Sequence, residues 1–205
     1  MDAAVGLVQT YLRINGYFTV TEYPVIEAVR AGHYREVTDL DVLAVRFPSA
    51  GRHVLTRDRN KPGAGAHFET DPALNCPDDR IDMIVGEVKE GRAKLNRATR
   101  DAGVLHAMLA RFGCCATDEL SVVVDALMHR GKTATHEGHQ LRVMAFGTDP
   151  DDAPHRHYEV MTLGHIIAFV RAYIVEHWSV LRHAQFKDPC FGFLMTLEKA
   201  GRHGD

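Results

Sequence analysis

Glu87 and Lys89 stand two residues apart at the end of the apolar run RIDMIVGEVK. Side chains of a strand alternate between faces, so residues i and i+2 project to the same side. A carboxylate and an ammonium therefore meet where this strand reaches solvent. The carboxylate can hold a hard cation such as Mg²⁺. The ammonium can position a water or offset charge developing on a phosphate. Phosphodiester hydrolysis needs such help, because a bound metal lowers the pKa of its water and stabilises negative oxygens during in-line displacement. One carboxylate is too few for an octahedral ion. Asp41, just before the apolar run Val42–Val45, supplies a second from the preceding strand. Asp39 shares its face and competes for the role. Asp82 lies at odd spacing from Glu87 and faces the other way. Glu22 and Glu27 read better as solvated groups.

Elements to carry these residues are legible. Val5, Leu7, Val8, Tyr11, Leu12 and Ile14 fall at near-helical spacing before Asn15-Gly16, predicting a first helix over 3–15. Strands are predicted over 17–25, with Pro24 ending the strand or marking an edge, and over 37–47. A Pro- and Gly-rich stretch over 48–80 reads as a long irregular insertion. Further strands are predicted over 80–89, 140–146 and 158–161. Helices follow over 101–112 and 118–130, with Asp101 and Thr117 as N-caps. A long amphipathic helix is predicted over 163–181, capped by Thr162, and a short one over 189–200. The expected fold class is α/β, an α+β mixed sheet with helical cover, in one domain over 1–205.

The order helix, three strands, helix, strand, with an acid on the second strand and Glu-x-Lys on the third, resembles the PD-(D/E)XK (restriction-endonuclease-like) nuclease superfamily. The resemblance rests on Asp41 and Glu87-Val88-Lys89 and covers about 3–147, leaving 162–200 as a C-terminal helical extension. It implies an αβββαβ core and hydrolysis of DNA phosphodiester bonds, with RNA as the other substrate. It implies Mg²⁺ (or Mn²⁺) held by Asp41, Glu87 and the Val88 carbonyl, with Lys89 beside the attacking water. The chain departs from the family in three ways. No proline precedes the acid in Thr38-Asp39-Leu40-Asp41. The interval from Asp41 to Glu87 is long. The first helix carries Gln9 where some resolvase-like members carry a glutamate. The alternative is a catalytically inactive nuclease-fold module that binds nucleic acid or protein, with the three residues as a structural ion cluster.

Arg92, Lys94, Arg97 and Arg100 follow the motif, the last three at i, i+3 spacing if helical. Beside a metal site they would hold phosphates. Arg52, Arg57, Arg59 and Lys61 form a second basic group in the insertion. The net charge of −3 gives no basic field over the whole chain, so any nucleic-acid contact must be local. His136-Glu137-Gly138-His139 is not a metalloprotease motif, and His155 with His157 is a weak chelating pair. Cys76, Cys114, Cys115 and Cys190 form no CxxC pair, and free thiols suit a reducing, cytoplasmic setting. No apolar stretch is long enough to span a bilayer. The C-terminal helices, with Tyr173 and Trp178, could form a homodimer contact.

Overall fold

The computed structural model describes residues 2–53, 55, 67–150 and 157–202. Helix α1 (Ala3–Ile14) starts at Asp2, whose side chain accepts from the Ala4 N–H at 2.8 Å. It feeds the long antiparallel hairpin β1 (Phe18–Arg30) and β2 (His33–Arg46). Two short paired strands, β3 (Arg52–His53) and β4 (His67–Phe68), precede a single 3₁₀ turn at Pro72–Leu74. Strand β5 (Asp82–Val88) is buried throughout. Helices α2 (Ala102–Phe112) and α3 (Leu120–Arg130) then lead to β6 (Lys132–Ala134), β7 (Gln140–Gly147) and β8 (Glu159–Thr162). Helices α4 (Leu163–Glu176), α5 (Trp178–Leu181) and α6 (Pro189–Arg202) close the chain.

The main sheet is mixed. Its order is β1-β2-β5-β7-β6, and β8 also pairs with β7. Strands β1, β2 and β5 form an antiparallel meander, while β7 runs parallel to β5 after the helical crossover. One face, through Val42, Ala44, Ile84 and Phe146, packs on α1, α4 and α6. The other, through Leu43, Met83, Val85 and Val143, packs on α2 and α3. Apolar side chains on both faces explain why β5 and β7 read as near-continuous hydrophobic runs.

Several expectations are corrected. Strand β1 runs past the expected end at 25 to Arg30, and of the two readings of Pro24 the edge holds, since β1 is the outer strand of the sheet. The 48–80 stretch is not wholly irregular. Phe68 and Leu74 are buried in the core, and Asp71 takes hydrogen bonds from the Tyr11 hydroxyl and the Ala73 N–H at 2.7 and 2.9 Å. Helix α3 starts at Leu120, with no side-chain cap. The long C-terminal helix breaks at His177 (φ −97°, ψ 14°), whose ring stacks on Phe68 at 4.0 Å. The caps at Asp101 and Thr162 are as expected: Asp101 accepts from the Gly103 and Val104 N–H groups, Thr162 from the His165 N–H. The Arg57, Arg59 and Lys61 group and His155 lie outside the described residues.

Glycine at 147 is required by close approach. A Cβ there would sit 2.5 Å from the Ala93 nitrogen and 2.6 Å from the Gly91 oxygen. Backbone atoms cannot step aside cheaply. Gly147→Ala is expected to destabilise the fold by about 1–3 kcal/mol, the usual size of an overpacking cost, and to shift the 91–93 segment that follows Lys89. Urea unfolding measures the first effect.

Candidate active site

Val42 pairs with Gly86 at the end of the β2–β5 ladder. One further step of that antiparallel register sets Asp41 opposite Glu87, and directly opposed residues share a face. The pairing loosens here. The Asp41 Oδ2 accepts from the Val88 N–H at 2.7 Å. Across the sheet Glu22, which the β1–β2 register skips, takes a left-handed backbone at φ 52°. Asp39 is exposed on the overhanging part of β2, away from the junction. Asp82 is at the other end of β5, fully buried and committed elsewhere. The Arg142 guanidinium grips it at 3.1 and 2.5 Å, and Gln140 and Tyr17 also donate to it.

Glu87 is only 1% exposed. The Lys89 ammonium lies 2.5 Å from its Oε1. The Asn96 amide donates to the same oxygen at 2.9 Å, and the Thr99 hydroxyl donates to Oε2 at 2.6 Å. Asn96 and Thr99 are themselves locked together, since the Asn96 Oδ1 accepts the Thr99 N–H at 2.6 Å. Neither was singled out from the sequence. They come from the irregular run after β5, where no periodicity announces which side chains turn back.

Burial pushes the Asp41 carboxyl above its ordinary value. The Val88 N–H opposes the shift, and the Glu87 and Asp2 charges add to it. Burial pulls the Lys89 ammonium down, but its hydrogen bond to Glu87 and the nearby Glu87, Asp41 and Asp2 charges outweigh that and hold it above its usual range. Lys89 is thus firmly protonated at neutral pH. It can offset negative charge but not accept a proton. Asp2 is an acid from the start of α1 that helix periodicity did not reveal. Its signature was only its place as N-cap.

The raised Asp41 value has a consequence for stability. An acid whose folded pKa exceeds its unfolded one costs stability once it ionises, so the cost is absent below the unfolded value near pH 3.8 and complete above the folded one. Asp41→Asn is expected to raise the melting temperature at pH 7 and leave it unchanged at pH 3. Equal shifts at both pH values would mean that the carboxylate is not strained.

The predicted basic row is not helical. Arg92, Lys94, Arg97 and Arg100 occupy a coil and a 3₁₀ turn before α2, because Asp101 caps the helix only after them. All four are exposed. The Arg100 guanidinium sits 5.8 Å from the Tyr158 ring centroid. His139 lies in a turn and its Nδ1 meets the Cys114 carbonyl at 3.3 Å. Among the described residues no group of three or more His, Cys, Asp or Glu side chains gathers at metal-binding spacing. No described helix is long and apolar enough to cross a membrane. No protein-family model, curated protein or solved structure matches this chain.

Proposed function

We propose that the chain is a metal-dependent nuclease of the PD-(D/E)XK kind, with Asp41, Glu87 and Lys89 as its catalytic set and DNA as its substrate. One observation carries the reading: Asp41 and Glu87 meet at the frayed end of the β2–β5 ladder, with the Lys89 ammonium beside them. The antiparallel meander followed by a parallel strand is the order that an αβββαβ core requires.

The donor chemistry fits a hard cation. Burial first, and then the Glu87 and Asp2 charges, hold the Asp41 carboxyl up, and a bound cation would offset those charges. Consecutive strand residues aim their backbone groups to alternate sides. The Val88 N–H turns to Asp41, while the Lys89 N–H turns to the Phe146 oxygen at 2.9 Å. The Val88 carbonyl therefore opens on the Asp41 side. Asp41, Glu87 and that carbonyl would hold Mg²⁺ or Mn²⁺. When bound, such an ion supplies an acidified water and charge neutralisation at phosphate oxygens. Asn96 and Thr99 fix the Glu87 carboxylate. Lys89 faces the scissile phosphate as a permanent cation, and Arg92, Lys94, Arg97 and Arg100 lie exposed close by in the chain to hold flanking phosphates.

A second reading has its own support. Glu87 is almost wholly buried and both its oxygens already accept hydrogen bonds. That suits a closed ion cluster in a binding module. Calorimetry with Mn²⁺ separates the two. Binding by the native chain that Glu87→Gln abolishes supports the nuclease. No binding, with or without DNA, leaves the cluster as a structural device.

A further inference from the structure

The turn after α5 and one face of α6 line a cleft with several basic side chains. Its volume is about 810 Å³, within the range of small-ligand sites. Trp178 and Phe186 give it an aromatic lining, and Arg182, Lys199 and Arg202 line it with cations, Arg182 donating to the His183 Nε2 at 3.3 Å. Among the described residues no carboxylate lines it. Two nearby acids are engaged. Asp188 pairs with Arg13 at 3.0 Å, and Glu198 pairs with Arg202 at 2.6 Å. Among the described residues neither Arg182 nor Lys199 meets a carboxylate. Arg182 and Lys199 are both exposed and both line the cleft. In a chain with net charge −3, a cleft with two such cations and aromatic walls suits an anionic, ring-bearing ligand.

We propose that this cleft binds a single strand of nucleic acid, its phosphates on Arg182 and Lys199 and a base against the aromatic lining. Phosphates supply the affinity in such grooves, and bases stack on rings without regard to sequence. The Arg202 guanidinium already lies 4.8 Å from the Trp178 ring centroid, a cation–π contact that a stacked base would extend. The site requires neither Asp41 nor Glu87. It would give a nuclease a second hold on its substrate, and a binding module its main one.

Trp178 is the single tryptophan, so its emission reports on the cleft alone. The experiment titrates the full chain with a short single-stranded oligonucleotide in EDTA, where no metal-dependent cleavage can occur. A saturable change in emission is expected. In the Arg182→Ala/Lys199→Ala variant the affinity should fall about tenfold or more. The slope of log affinity against log salt should become shallower by about 1.4, two contacts at about 0.7 each. Both positions are exposed, so the variant should fold, and circular dichroism checks that. An absent emission change, or an unaltered titration in the variant, overturns the proposal. So does an equal response to inorganic phosphate or to polyglutamate at matched charge, which would make the cleft a small-anion or acidic-protein site. Cleavage is scored separately in Mg²⁺, so failure of the catalytic reading leaves this result interpretable.

Discussion

Replacing Lys89 by Ala is expected to lower divalent-dependent cleavage by about 10²–10³-fold, the usual cost of removing one fixed charge from a transition state. Metal binding should survive. Lys89 competes for the Glu87 oxygen that a cation would use, so the variant should bind Mn²⁺ as well as the native chain or better. Glu87→Gln should lose both. These opposite effects on binding are the test, since a merely structural ion pair would give two variants that differ only in stability. Lys89→Ala keeps Asn96 and Thr99 as donors to Glu87, and Glu87→Gln keeps one acceptor oxygen for one of them, which favours a folded product. Parallel assays of cleavage and calorimetry on one preparation decide the matter. Full cleavage by Lys89→Ala would remove Lys89 from the chemistry.

The largest expected effect on stability lies elsewhere. Arg142 and Asp82 are 2% and 0% exposed and joined by two hydrogen bonds at 3.1 and 2.5 Å. The guanidinium also donates to the Leu74 carbonyl at 2.9 Å and to Glu159 at 2.8 Å. It thereby ties β7, β5 and β8 to the stretch before β5. Arg142→Met leaves a buried carboxylate held only by Tyr17 and Gln140. Breaking one side of such a pair costs about 3–5 kcal/mol. The double change Arg142→Met with Asp82→Leu removes the stranded charge and should recover much of the loss. Urea unfolding of the three proteins checks this. A single-variant loss below about 1 kcal/mol would mean that water reaches the pair.

The parts of the fold that were legible in the sequence are those in which the residue pattern and the packing agree. Helix α1 shows its apolar stripe, β5 and β7 their buried runs, and Asp101 and Thr162 their caps. The outer half of the β1–β2 hairpin was missed because it packs on nothing. Ile26, Val29 and Tyr34 are exposed, so no alternation marks the strands, and Gly32 with φ 72° makes the turn. Strand β6 has three residues, too few for any period. In the candidate site, Asp41, Glu87 and Lys89 could be singled out because strand alternation constrains them. Asn96, Thr99 and Asp2 could not, because a coil and a helix cap reach the site by paths that local spacing does not encode. The basic residues after Gly91 would have lined up only on a helix, and the helix begins after them, at Ala102.

Strand β2 has two different halves. From Val42 to Arg46 it is flanked on both sides, by β1 and by β5, whereas from His33 to Leu40 it has β1 alone. A two-stranded ribbon is barely stable by itself, so opening its outer part, whose Ile26, Val29 and Tyr34 are exposed, disrupts little of the core, whereas Val25 and Leu40 nearer the sheet are buried in it. Backbone amide exchange should divide the strand accordingly, slow in the flanked half and faster in the free half. Asp41 sits on that boundary. The residue read as catalytic thus joins the part of β2 that is flanked on both sides to the part that has one neighbour, and a load on the hairpin tip has a short covalent path to its carboxylate.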